Sequence, residues 1–207
     1  MKTIEDIRLY CFTANNLLGK RDPLKLVEAQ IMGGADLIQL REKDMSKKKK
    51  LELGFKLRSL TRKHGVFFIV NDDIDLALIL DADGVHLGQD DIPIQYARSM
   101  MKNKIIGIST HSFGQVREAV DSGADYIGVG PVFQTKTKTD IMPLVGLDLI
   151  SQIGSICTIP FIAIGGIKKD NLDDLRKVGC SRVAIISDIL LAPDIEKQCQ
   201  TIKRMLI

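Results

Sequence analysis

Gly34-Ala35-Asp36-Leu37-Ile38-Gln39-Leu40-Arg41-Glu42-Lys43-Asp44 holds the pattern on which the fold turns. Small residues stop one helix, a short apolar run makes a strand, and a dense polar set follows at once. Glycine suits the left-handed residue at which a helix ends. The apolar run is short enough for a buried strand, residues 37–40. An amide, two cations and two carboxylates directly behind it are costly unless they face a polar ligand. The C-terminal end of this strand is therefore expected to open on a site.

The same design recurs along the chain. Gly123-Ala124-Asp125 precedes another apolar run, and Ala82-Asp83-Gly84 is a looser echo. Strands are expected near residues 8–13, 37–40, 66–70, 84–87, 105–108, 126–129, 161–164 and 182–186, with helical periodicity between them. Pro23 sits at a first-turn position. Ser46 and Ser112 are placed to cap helices, the second running through Ser122. Asp72 or Asp73 can cap a helix through Leu80, and Pro93 opens one through Met101. Glycine stops fall at Gly33-Gly34, Gly65, Gly123 and Gly179.

Eight parallel strands, each followed by a helix, make a (β/α)8 TIM barrel of the α/β class. One domain spanning residues 1–207 is expected, because no Pro/Gly/Ser-rich linker divides the chain. The length is short for this fold, so the loops must be tight. An open doubly wound sheet is the rival, but no G-x-G-x-x-G follows the first strand.

The bulk numbers narrow the function. A formal charge of +3 does not fit a nucleic-acid binder. Lys47-Lys48-Lys49-Lys50 is the one dense basic tract and reads as the solvated start of a helix. Cys11, Cys157, Cys180 and Cys199 have no paired metal spacing and fit buried thiols in a reducing compartment. No signal-peptide pattern and no bilayer-length apolar run are present, so a cytoplasmic protein without membrane contact is expected.

In such a barrel, chemistry sits at the C-terminal ends of the strands. Gln39, Arg41 and Lys43 follow the second strand; Asn71 and Asp72 the third; Gln89, Asp90 and Asp91 the fourth. Ser109, Thr110 and His111 follow the fifth, a long polar loop over residues 130–143 the sixth, Gly165-Gly166 the seventh and Ser187 the eighth. The turns of the opposite face are mostly plain glycine and alanine.

Asp72 and Asp91 come from adjacent strand ends and can approach one point. Mg2+ takes one or two protein carboxylates and completes its shell with water and phosphate oxygens. Helix capping is the plainer use of either aspartate. Arg41 offers a fork and Lys43 a point charge for phosphate; their plainer use is pairing with Glu42 or Asp44. The hydroxyls and ammoniums of residues 134–140 suit a phosphate ester, or a polar surface loop. Gly165-Gly166 and Ile186-Ser187-Asp188 occupy the place where barrels often bind phosphate. His86 alternates with Val85 and Leu87 and fits a core or supporting role better than a general base. His111 is open to either role, and His64 is expected to be structural. No Ser-His-Asp arrangement is legible.

Gln39-Leu40-Arg41-Glu42-Lys43, Asn71-Asp72 and Ala82-Asp83-Gly84-Val85-His86-Leu87-Gly88-Gln89-x-Asp91 are followed by Gly128-x-Gly130-Pro131-x-Phe133-x-Thr135-x-Thr137-Lys138 and Ala163-Ile164-Gly165-Gly166-Ile167. In this order the chain resembles the thiamine-phosphate synthase family over almost its whole length. The resemblance implies coupling of a hydroxymethylpyrimidine diphosphate to a thiazole phosphate, with release of pyrophosphate. It implies that Gln39, Arg41, Lys43, Asn71, Ser109 and Lys138 bind the pyrimidine diphosphate, with Arg41, Lys43, Ser109 and Lys138 acting in catalysis. Asp72 and Asp91 would hold Mg2+. Thr135, Thr137, Gly166, Ile186 and Ser187 would bind the thiazole phosphate, and Leu40, Glu42 and Lys136 complete the two binding segments. Gln134 departs from the proline common in the family, and no aspartate follows Thr13. A thiazole tautomerase using His111, a sugar-phosphate isomerase or epimerase, and a non-catalytic phosphometabolite sensor are the alternatives. Many barrels of this kind pair, so a homodimer is among the expected assemblies.

Overall fold

The computed structural model describes residues 3–135 and 143–207. Its strands are β1 (Leu9–Phe12), β2 (Leu37–Leu40), β3 (Phe67–Asn71), β4 (Gly84–Leu87), β5 (Ile105–Thr110), β6 (Tyr126–Val129), β7 (Phe161–Ile164) and β8 (Val183–Ala184). All pair in parallel with their sequence neighbours. Leu9 of β1 pairs with Val183 of β8 and closes the barrel. The helices are α1 (Pro23–Met32), α2 (Lys47–His64), α3 (Ile74–Ile79), α4 (Ile94–Met101), α5 (Phe113–Asp121), α6 (Gly146–Gly154), α7 (Leu172–Lys177), the short α8 (Ser187–Leu190) and α9 (Ile195–Leu206). No described helix is long and apolar enough to cross a membrane.

The helix ends follow from local chemistry. Asp22 accepts a hydrogen bond from the Leu24 amide at the start of α1, with Pro23 at the first helical position. Ser46 caps α2 and Ser112 caps α5 through their hydroxyls. Gly65 ends α2 at φ 63°, a conformation that glycine adopts without Cβ strain.

Several boundaries differ from expectation: β3 runs to Asn71 and β5 to Thr110, so Asn71, Ser109 and Thr110 lie within strands that were expected to end before them. β8 pairs over two residues only, although the Ile185 amide still donates to Tyr10 O at 3.0 Å. Neither Asp72 nor Asp73 caps α3. Asp73 holds the N-cap position without a cap bond, because Lys50 (2.8 Å) and Lys47 (3.0 Å) take its carboxylate.

Alternation along the strands builds two cores. Ile38, Leu40, Phe68, Val70, Val85, Leu87, Ile106 and Val129 face outward and are buried under the helices. Tyr10, Phe12, Leu37, Ile69, Tyr126, Ile162 and Ala184 fill the barrel itself. Gly107 makes room for the largest of these. A Cβ there would lie 2.1 Å from the Tyr126 ring.

The lower face is less plain than expected. Asp36 accepts from the Leu9 amide (3.0 Å), Asp83 from Phe68 (2.8 Å) and Asp125 from Ile106 (2.7 Å). Each carboxylate thus ties its own strand to the one before it. Each also meets a cation from the helix layer: Lys203 on α9, Arg58 on α2 and Arg98 on α4. These are the aspartates of the recurring small-residue motif, so the repeat seen in the sequence is a structural clamp.

Candidate active site

The upper mouth of the barrel opens into a cavity of about 540 Å³. Of the residues expected to bind ligand, Gln39, Arg41, Asn71, Ser109, Thr135, Gly166, Ile186 and Ser187 line it. They come from six strand ends, which only closure of the barrel brings together. Lys136, Thr137 and Lys138 lie outside the described residues.

Two expected contacts do not point their side chains into the cavity. Leu40 alternates outward and is buried against α2, where a Cβ on Gly54 would lie 3.3 Å from its Cδ2. Glu42 is buried below the rim, where its Oε2 accepts the Asn15 amide at 2.8 Å. Burial raises its pKa, and the Asn15 amide opposes that shift. Both side chains were expected to meet substrate; one packs the outer core and the other fastens the loop after β1. Arg41 is fixed from the same loop, its amide donating to Thr13 Oγ1 at 2.9 Å.

Asp72, Asp91 and Lys43 do not line the cavity; Asp91, Lys43 and the lining residue Arg41 stand close enough to Asp72 to act on its charge. Asp72 directly follows β3 and takes a left-handed backbone at φ 60°. Its amide donates to His86 O at 2.9 Å, which fixes the turn against β4. Asp91 is anchored by the Gly88 amide, which donates to its Oδ2 at 2.7 Å. The two carboxylates come within hydrogen-bonding reach of each other. Desolvation at the rim, then the charge and hydrogen bond of Asp91, push the Asp72 carboxyl up to about 6; Lys43 and Arg41 oppose that rise. The Asp72 side chain nonetheless keeps contact with solvent. Arg41 itself is lowered by burial, a shift that Asp72, Glu42 and Asp44 oppose.

Facing carboxylates of this kind fit a small dication. Among the described residues no group of three or more His, Cys, Asp or Glu could hold a metal. Two carboxylates without further side-chain ligands match Mg2+, which keeps places for water and phosphate oxygens.

The opposite wall is made by the loops after β6, β7 and β8. Gly165 (φ 99°) and Gly166 (φ 64°) let these loops touch. A Cβ on either would meet the β6 loop at 2.5 Å, at Pro131 Cα and Gln134 O respectively. The Phe133 amide then donates to Gly165 O at 3.0 Å. The glycine pair thus shapes the wall, besides leaving its own backbone bare. His111 also lines the cavity and bonds Gly130 O through Nδ1.

Tyr10, Tyr126 and Phe12 line the cavity floor and were not singled out in the sequence. Their inward positions in alternating strands were the available signal. His86 lines the cavity between Tyr126 and Ser109, with a ring nitrogen on each. His64 lies at the end of α2, far from this wall in the chain's order, and its Nε2 is buried without a hydrogen-bond partner among the described residues.

A model of the thiamine monophosphate synthase family matches residues 9–189. A thiamine-phosphate synthase of Halalkalibacterium halodurans is 44% identical over 204 residues, 98% of this chain and 97% of the relative. That of Chloroflexus aurantiacus is 42% identical over 202 residues, 98% and 94% of the two chains. The solved thiamine phosphate pyrophosphorylase of Pyrococcus furiosus superposes with a TM-score of 0.88 at 37% identity, covering 98% of this chain and 96% of the other. A 3-hexulose-6-phosphate synthase, 17% identical with a TM-score of 0.70, shares the fold alone.

Proposed function

The chain belongs to the thiamine monophosphate synthase family, and on that premise we propose that it couples 4-amino-2-methyl-5-hydroxymethylpyrimidine diphosphate to a thiazole phosphate, giving thiamine phosphate and pyrophosphate. The observation that carries this reading is the facing of Asp72 and Asp91 beside Arg41 and Lys43. A cluster of that composition suits a leaving group of high negative charge.

Arg41 and Lys43 bind the diphosphate, the first through a planar fork and the second as a point charge. Asn71 and Ser109 supply neutral hydrogen bonds to the same ligand. Lys138 is assigned to the same end of the substrate. Asp72 and Asp91 would hold Mg2+, which when bound adds positive charge where the pyrophosphate departs. Gly166, Ile186 and Ser187, with Thr135 and Thr137, take the thiazole phosphate, much of it through backbone N–H groups.

The reaction needs orientation and charge stabilisation more than covalent help. The carbon–oxygen bond to the diphosphate breaks with its electron pair on the leaving oxygen. A pyrimidinylmethyl cation remains, and the thiazole nitrogen closes the new carbon–nitrogen bond with its lone pair. No proton has to be removed from either partner. Accordingly, no cysteine and no Ser-His-carboxylate set is found among the described residues lining the cavity. Fixed cations aimed at developing charge account for the rate, and holding the two substrates in line supplies much of the rest.

The test is to incubate purified protein with both substrates, with and without Mg2+, and to detect thiamine phosphate by mass. Product that depends on Mg2+ is expected. Aromatisation of the thiazole phosphate without coupling would favour the tautomerase, with His111 as its base. Binding without any conversion would favour the sensor.

A further inference from the structure

Five polar side chains from five strands form one connected line inside the barrel. Gln39 on β2 donates its Nε2 amide to Tyr10 Oη on β1. Tyr10 Oη lies 3.1 Å from Tyr126 Oη on β6, which lies 2.9 Å from His86 Nδ1 on β4. His86 Nε2 lies 2.9 Å from Ser109 Oγ on β5, at the cavity wall. Gln39, Tyr10 and Tyr126 are at most 2% exposed. Glycines make the space for this line. A Cβ on Gly107 would strike the Tyr126 ring, and one on Gly128 would press His86 Cε1 at 3.3 Å.

Buried polar groups need partners, and this requirement sets a direction. The side-chain amide nitrogen can only donate, so Tyr10 Oη accepts from Gln39. The single phenolic proton of Tyr10 is then directed to Tyr126, and that of Tyr126 to His86 Nδ1. The reverse direction would leave the Tyr10 proton without an acceptor among the described residues. A lone pair on Nδ1 places the imidazole proton on Nε2, facing Ser109 Oγ.

We propose that this relay makes Tyr126 and His86 positioning residues, which hold His86 as the neutral Nε2–H tautomer and turn the Ser109 hydroxyl into a donor aimed into the cavity, toward a diphosphate oxygen. The destination of that proton rests on the function proposed above; the tautomer does not. Ser109 and His86 are therefore not a nucleophile and its base. A base would present a lone pair to Oγ and be backed by a carboxylate, whereas a neutral phenol stands behind His86.

Long-range proton–nitrogen correlation spectra of 15N-histidine-labelled protein read the tautomer without substrate, with His86 assigned by its loss in His86→Gln. A protonated Nε2 and a pyridine-like Nδ1 are expected at pH 7.5. A protonated Nδ1, alone or together with Nε2, would overturn the relay. Steady-state kinetics then separate positioning from bulk. His86→Gln keeps an amide N–H near the place of Nε2–H, while His86→Leu keeps none. His86→Leu is expected to raise KM for the pyrimidine diphosphate about tenfold, as for one weakened charge-assisted hydrogen bond. KM for the thiazole phosphate should be unchanged, and His86→Gln should stay within about threefold of the parent. Equal KM values for the two variants, with melting temperatures alike, would overturn the role given to His86. No turnover by the parent protein would overturn the diphosphate reading instead.

Discussion

Asp72 combines a backbone that few residues adopt with a carboxylate that faces another. Aspartate tolerates the left-handed conformation better than most residues, and asparagine does too. Asp72→Asn therefore removes charge without disturbing the turn. Between about pH 4 and 6 a carboxyl raised to about 6 holds its proton in the folded state and has lost it in the unfolded one. The stability it lends is fully present below about pH 4 and is lost as pH rises through about 6. Melting temperatures of the metal-free protein should show this loss, and Asp72→Asn should remove it. The Mg2+ proposed at Asp72 would compete with the same proton, so its affinity should fall by up to about tenfold per unit as pH drops below 6. Titration calorimetry across pH 5 to 8 checks the sign; affinity independent of pH would contradict it. At saturating substrate, Asp72→Ala should lower turnover far more than it lowers stability.

At the scale of elements, the lysine tract at the start of α2 does more than stay solvated. Lys50 and Lys47 grip Asp73, the residue after Asp72, so α2 braces the turn that presents the carboxylate. Asp73→Ala should raise the Mg2+ concentration needed for half-maximal rate several-fold, with a small change in melting temperature. Circular dichroism and a Mg2+ titration of the rate check both parts. At the other end of the strands, Asp36 is buried, accepting from the Arg8 and Leu9 amides and pairing with Lys203. Asp36→Ala would strand that lysine and two amides and should cost about 3 kcal/mol by urea unfolding. Asp36→Asn, which keeps an acceptor, should cost less. The sequence showed this motif three times without its purpose. A strand's leading aspartate looks like turn chemistry until the register with the preceding strand is known.

For the whole molecule, the barrel and its polar mouth were legible because each strand end carries its own signal. Leu37–Leu40, Gly84–Leu87, Tyr126–Val129 and Phe161–Ile164 begin and end where the apolar runs do. β8 was less so, since Ile185 and Ile186 continue the apolar run after ladder pairing has stopped. The inward and outward sense of single residues was the harder part. Leu40 sits inside a motif that reads as a binding segment, yet alternation turns it to the helices. The line from Gln39 to Ser109 was not legible at all, because it joins strands far apart in sequence and exists only once β1 meets β8. Ser187→Ala should weaken thiazole phosphate binding only mildly, because backbone amides are proposed to share that load; a severe rise in KM would contradict it.

The pairing of acidic and basic groups at the mouth is tested most directly by diffraction from crystals soaked in Mn2+ and pyrophosphate. An anomalous peak between the Asp72 and Asp91 carboxylates is expected, with pyrophosphate oxygens bridging it to Arg41 and Lys43. An ion bound elsewhere, or pyrophosphate seated away from those four side chains, would contradict the account.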